Sequence, residues 1–289
     1  SAGIYSVNLT TASEALNKGK ILLNGSGASG LRADGTSLAA NAGIIESLQD
    51  TSGAYYEDVQ GMVVTNGAGI ENTGIITLNG NSSTGIYNNN GDVNMTAGSI
   101  TVSGNQSVGV YSKDSSSATL ISGGIIEAKG NADGSAVTLF AENSTIKIDN
   151  GALLKTSDNG ILFYTSFSGT APTGNFDLVS GVIQAEIGAD GIGFYHIGDS
   201  SDSGIQTFLN TLLTGSGTLD VTLTDQSSKL FVIESTGGVT NLSSLVPGTL
   251  TMLSGTKVSV NTSSAPVHDI FLINKGELNI DQNVNLDNV

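Results

Sequence analysis

The sequence predicts an all-β fold, a right-handed parallel β-helix whose coils of about 24 residues stack one on another. Three observations carry this reading: a glycine-anchored repeat, apolar runs of strand length inside each repeat, and a composition that closes off most other folds. Stacking such units buries a continuous core that no single unit could bury alone.

The repeat is clearest in residues 72–87, NTGIITLNGNSSTGIY, and 96–111, TAGSITVSGNQSVGVY. The template is glycine, a short apolar run, a Gly/Asn/Ser turn, then glycine, an apolar residue and tyrosine. The first glycine recurs at Gly19, Gly43, Gly74, Gly98, Gly124, Gly151, Gly181 and Gly217, with spacings of 24, 31, 24, 26, 27, 30 and 36. The second is read at Gly3, Gly30, Gly53, Gly85, Gly109, Gly134, Gly160 and Gly191. An aromatic follows closely at Tyr5, Tyr55, Tyr87, Tyr111 and Phe163. A floor near 24 with variable excess reads as one obligatory unit plus loop inserted where the scaffold tolerates it.

Within each unit, runs such as Ile75–Leu78, Ile100–Val102 and Ile125–Ile126 are bounded by Gly, Asn, Ser and Asp. That is strand signal with turn punctuation. The units lack the long 3.6-residue periodicity of helical repeats and are shorter than the ~40 residues of a propeller blade. Some eleven coils at about 4.8 Å make a rod roughly 50 Å long. Right-handed crossovers are the strong rule for parallel strands. Glycines at corners are expected at positive φ, and Asn79, Asn81, Asn88, Asn105 and Asn131 are expected at the same corners, where Asn tolerates left-handed backbone and builds amide ladders.

One segment departs from the template. Ile205, Phe208, Leu209 and Leu212 fall at i, i+3, i+4 and i+7, which predicts a short amphipathic helix over 202–213, capped by Asp202 or Ser203. A weaker helical turn is expected at 13–16. After Gly217 strands are expected at 219–223, 230–233, 249–253, 257–260, 270–273 and 277–280. The chain starts and stops in pattern, and is read as one β-helix fragment, 1–289, of something longer.

Composition excludes several classes. Cys is absent, so neither disulfides nor thiolate zinc sites are available. Acids outnumber bases 26 to 10, a net charge of −16; a nucleic-acid partner needs the opposite sign. No apolar run approaches the ~18 residues of a membrane span, and no signal segment opens the chain.

Gly198-Asp199-Ser200-Ser201 follows His196 closely. It departs from the Gly-Asp-Ser-Gly of trypsin-like enzymes at its fourth residue and reads as a polar loop. A polysaccharide lyase needs basic groups, and Arg32 is the only Arg; a hydrolase needs paired carboxylates in one cleft, and none recurs at template positions. Asp199 with Asp202, and Glu57 with Asp58, are partial calcium sites at most and read as solvated loop charge. No catalytic residue, metal or cofactor is implied. The tyrosines Tyr55, Tyr87 and Tyr111 share a template position and would stack as a ladder, core if inward and a contact surface if outward. The candidate binding residues are Tyr55, Tyr56, Glu57 and Asp58, in a long spacing, and Phe194, Tyr195 and His196.

The repeated Gly-Ile-Ile-x-Leu-x-Gly and Gly-Ile/Val-Tyr units, as in 84–87 and 108–111, with Asn/Ser/Thr turns, an acidic balance and no Cys, resemble the passenger of a large type V autotransporter adhesin of Gram-negative bacteria. The resemblance spans roughly residues 1–235. It implies export through a C-terminal outer-membrane barrel, which this chain does not contain, and a place on the bacterial cell surface. It also implies a partner that is a host-cell or bacterial surface protein or glycan. Three functions follow as expectations: an adhesin presenting loops on a rigid rod, a β-helical carbohydrate-active enzyme, or a spacer.

Overall fold

In a computed structural model the chain is a parallel β-solenoid. The structure describes residues 2–7, 14–168, 171–198, 211–225, 227–241, 257–260 and 271–279. Among these, strands from successive coils align into three parallel sheets of ten, eight and nine strands, here called the first, second and third faces. Each coil visits the faces in that order. The coil Thr84–Asn89, Asp92–Met95, Ser99–Ser103 is representative.

The register returns the period read from sequence. On the first face Gln60 pairs with Thr84, Thr84 with Val108, and Val137 with Ile161, each 24 residues apart. Longer steps mark insertions: Ser29 to Gln60 is 31 and Ile161 to Ile192 is 31. The first of these holds an excursion closed by an antiparallel bridge between Gln49 and Tyr55. The second holds a small hairpin, Phe167–Ser168 against Ala171–Pro172. The expected helix falls in the step from Ile192 to Lys229. Thr211 and Leu212 are helical, but Leu213, the last residue expected in the helix, opens the strand Leu213–Gly215; residues 199–210, where the remaining expected helix positions and the 199–201 loop fall, lie outside the described residues. The turn expected at 13–16 is corrected, since Glu14–Asn17 is a strand of the second face paired with Leu38–Asn41; pairing with the next coil overrides weak local propensity. Strands Thr218–Leu223, Lys229–Asn241, Lys257–Val260 and Phe271–Asn279 match five of the six later expectations, the last joining two of them; 249–253 lies outside the described residues.

Because side chains alternate along a strand, one row of each face points inward. On the first face it reads Leu31, Met62, Ile86, Val110, Leu139, Phe163 and Phe194, each at most 1% exposed. On the third it includes Ile45, Ile76, Ile100, Ile126 and Leu154, all fully buried. Each such side chain contributes about 1.5–3 kcal/mol on leaving water.

The second glycine row needs correction. Gly30, Gly61, Gly85 and Gly109 stack, followed by Thr138 and Leu162; Gly61 takes the place read at Gly53, and Gly134 and Gly160 lie in turns. These glycines serve close packing, not positive φ. A Cβ at Gly85 would sit 2.4 Å from Ile100 Cγ2 and 2.5 Å from the Gly109 carbonyl oxygen. Where the row gives way to Thr138 and Leu162, an aromatic core begins: Phe163 lies 4.9 Å from Phe176 and 5.2 Å from Phe194, centroid to centroid.

Positive φ does mark the corners. Between first and second faces it recurs at Gly35, Asn66, Asn90, Asp114 and Asn143; between second and third faces at Gly98, Gly124, Gly151 and Gly181. The asparagines expected there behave differently. Asn88 is buried, its amide donating to the Gly91 carbonyl and the Thr119 hydroxyl, both at 2.9 Å. Asn81 Oδ1 accepts from the Asn105 backbone N–H at 2.9 Å. A side-chain amide ladder does exist, at positions the template left out. Asn17 donates to Asn41 at 2.8 Å, and Asn41 to Asn72 at 2.9 Å, all three buried. Met95 and Ile121 then continue the row.

Candidate functional site

The outward residues of the solenoid are what it can offer a partner, and the first face carries the most distinctive row. Beside the buried Ile86 and Asn88, Tyr87 points outward and is half-buried. The same position in consecutive coils reads Arg32, Val63, Tyr87, Tyr111, Phe140 and Tyr164, and Tyr195 follows. Five aromatic rings thus stack at centroid spacings of 5.3, 4.5, 5.2 and 6.1 Å. The spacing is imposed by the roughly 4.8 Å between strands, and edge-to-face or offset pairs at this range add about 0.5–1.5 kcal/mol each.

The Tyr111 hydroxyl donates to Glu142 on the next coil, and Lys113 lies 3.6 Å from the same carboxylate. Burial, and then the bond to Glu142, push the Tyr111 phenol well above its ordinary pKa, so it stays a neutral donor. The row is a ladder tied at its edge by charge, with ring faces and edges left partly in solvent.

The sequence-derived candidates separate. Tyr195 belongs to the ladder. Phe194 is 1% exposed and stacked on Phe163, so it is core and no contact residue. His196 lies in the same strand, opposite Ile233. Tyr55, 38% exposed, is off the ladder, whose position in that coil is Val63. It sits instead on the excursion before Gln60, where Asp50 Oδ1 accepts from Ser52 and Ala54. Tyr56 packs against the core. Glu57 accepts from Asn81 at 3.0 Å, and Asp58 takes the corner φ of 56°. Five strand steps on the first face separate this excursion from Tyr195, about 24 Å, so the structure does not bring the two groups together.

Two ladder members, Phe140 and Tyr164, escaped the sequence template. Their preceding glycine is replaced by Thr138 or Leu162, which hid them, although their own separation is one coil, 164 − 140 = 24. Phe163, read as the template aromatic, points inward.

The second face holds a shallow groove of about 580 Å3. Small residues Gly69 and Ala118 make its floor low between Leu38 and Thr145, with Glu71, Asp92 and Lys147 along it. Glu71 and Asp92 stand on adjacent coils, diagonal in the register Gly69–Asp92 and Glu71–Asn94. At Ser117 and Thr145 the groove meets a smaller hollow of about 260 Å3 bordered by the residues after the Phe167 hairpin. Among the described residues no group of three or more His, Cys, Asp or Glu is placed to hold a metal, and no helix is long and apolar enough to cross a membrane.

Fold and surface together define the chain as a parallel β-solenoid with an external aromatic ladder. No family model, curated protein or solved structure matches it.

Proposed function

We propose that this chain is a cell-surface adhesin or stalk segment of a secreted autotransporter passenger, a rod that presents its side chains to a host-cell or bacterial surface protein or glycan. The observation that carries the reading is the outward ladder from Tyr87 to Tyr195. Aromatic rings are the usual anchors of recognition, and these are held at fixed spacing by a scaffold that loses no conformational freedom on binding. The excursion at 49–55 supplies a second contact, with Tyr55 exposed beside the rod.

The test uses the chain on glycan and surface-protein arrays and on host and bacterial cells. Replacing Tyr87 and Tyr164 by Ser should weaken binding at least about tenfold, the loss of one modest anchor or more. Removing 49–55, which joins Leu48 to Tyr56, should leave the circular dichroism spectrum unchanged and reduce binding less. Full binding by both variants would move the site elsewhere on the chain, and no binding by the unaltered chain would make it a spacer. The groove favours a second reading, a carbohydrate-active surface, because Glu71 and Asp92 face it from neighbouring coils. Polysaccharide cleavage abolished by Glu71→Gln or Asp92→Asn would replace the first reading with this one.

A further inference from the structure

The outer surface of the third face carries two rows that the ladder does not use. The seven strands Lys20–Leu23, Ile44–Ser47, Ile75–Leu78, Ser99–Ser103, Gly124–Lys129, Ala152–Ser157 and Val182–Ile187 are its coils one to seven. In register, one outward row reads Lys20, Ile44, Ile75, Ser99, Ile125, Leu153 and Gln184. Ile44, Ile75 and Ile125 are 36%, 45% and 41% exposed, an apolar strip in water. The parallel row reads Leu22, Glu46, Thr77, Thr101, Glu127, Lys155 and Glu186.

We propose that this face binds a second copy of the chain, the two rods antiparallel about a twofold axis that crosses coil four at Ser99 and Thr101. The rows are self-complementary about that point. Coil one then faces coil seven, coil two faces coil six, and coil three faces coil five. Ile75 meets Ile125 of the other copy, and Ile44 meets Leu153. Glu46 meets Lys155, and Lys20, opposite Gln184, lies diagonal to Glu186 across the interface. Within one chain Lys20 pairs with Glu46 at 2.6 Å and Lys155 with Glu186 at 2.7 Å. The dimer sets these two pairs against each other with opposite signs facing, a four-charge network at each end of the apolar strip, which fixes register as complementary charge does elsewhere. The one poor match, Leu22 against Glu186, lies at the rim.

The corner loops agree. The insertion before Gln60, 31 − 24 = 7 residues, borders coil two and faces the corner after coil six, which has none because Val137 to Ile161 is one plain coil of 24. The insertion before Val137 borders coil five and is shorter, three residues, since Ile125 to Val137 spans 12 where Ser99 to Val108 spans 9. It faces the corner after coil three, again a plain coil between Gln60 and Thr84. Protrusion thus meets recess at both places. Seven strands span about 29 Å and five residues about 17 Å, roughly 1,000 Å2 over both copies, the lower limit of a stable interface. The association is therefore weak and concentration-dependent. It stands apart from whatever the ladder binds on the first face.

Sedimentation equilibrium of the chain should show a monomer–dimer equilibrium. Ile75→Asp, present twice in each dimer, should weaken it about a hundredfold with an unchanged circular dichroism spectrum. Geometry is read by cross-linking, since the chain has no Cys of its own. With a short bismaleimide, Thr101→Cys should cross-link to itself. Ile75→Cys should not, but should cross-link when mixed with Ile125→Cys. A monomer at all concentrations, or self-cross-linking by Ile75→Cys alone, overturns the proposal.

Discussion

Gly85 shows how a single missing atom sets the fold. Its absent Cβ leaves room for Ile100 and for the Gly109 carbonyl, so sheets one and three close on each other. Gly85→Ala should therefore destabilise by about 1–3 kcal/mol through overpacking, read as a shift in the denaturant midpoint. Gly25→Ala, where nothing lies within 4 Å of the added carbon, should shift it little. Glycine counting alone could not separate these two, because a glycine in a turn and a glycine under an isoleucine look alike in sequence. The same blindness placed Gly53 in the stacked row instead of Gly61. Asparagine behaved similarly: the Asn17, Asn41 and Asn72 ladder sits two residues before Gly19, Gly43 and Gly74, a signal present in the sequence but masked by more abundant asparagines in turns.

At the level of the element, the coil was legible because it is defined by neighbours at fixed separation. Period, parallel pairing and the short strands all follow from one requirement, that a four- to six-residue strand finds its apolar partner one turn away. Orientation within the coil was less legible. Phe163 and Tyr164 are adjacent and both aromatic, yet one is core and the other outward, and only register with Phe140 decides which. The excursion at 49–55 was recognisable as excess length, while the groove was not, because its floor depends on which small residues, Gly69 and Ala118, face outward. Modularity makes a direct prediction. Deleting 84–107 removes one whole coil and joins Ser83 to Val108, which lies in register with Thr84 and whose N–H already reaches the Ser83 carbonyl at 2.8 Å. Each coil contacts mainly its neighbours, so the shortened chain should keep the same β-sheet circular dichroism per residue and a cooperative, slightly less stable transition. Deleting only 84–95 inverts the stacking and should abolish that transition.

Across the whole molecule, charge and hydrogen bonding set opposing demands on pH. A net −16 distributed over a thin rod repels itself, and that repulsion falls with salt and with partial protonation. Individual carboxylates pull the other way. Asn66 and Thr65 bond Asp34, Ser52 bonds Asp50, and Ser180 bonds Asp149, each holding its carboxyl below the ordinary value of 3.8. A depressed folded-state pKa gives stability that is present above 3.8 and lost as pH falls through the lower folded value. At the other extreme Tyr111, buried and bonded to Glu142, is raised from 10.0, and Lys155, bonded to Glu186, from 10.5. Raised values give stability that is complete below those unfolded figures and declines as pH climbs past them. Thermal unfolding at low salt should therefore show Tm rising as pH is lowered from 8 toward about 5, then falling below 3.8, with a separate decline above 10. Added salt should raise Tm at pH 8 and flatten the acid-side rise, because only the long-range repulsion is screened. Tyr111→Phe should remove part of the alkaline decline while leaving the acid limb in place. A Tm that falls with salt at pH 8 would mean that the surface ion pairs on the first and third faces outweigh the net charge they are set in.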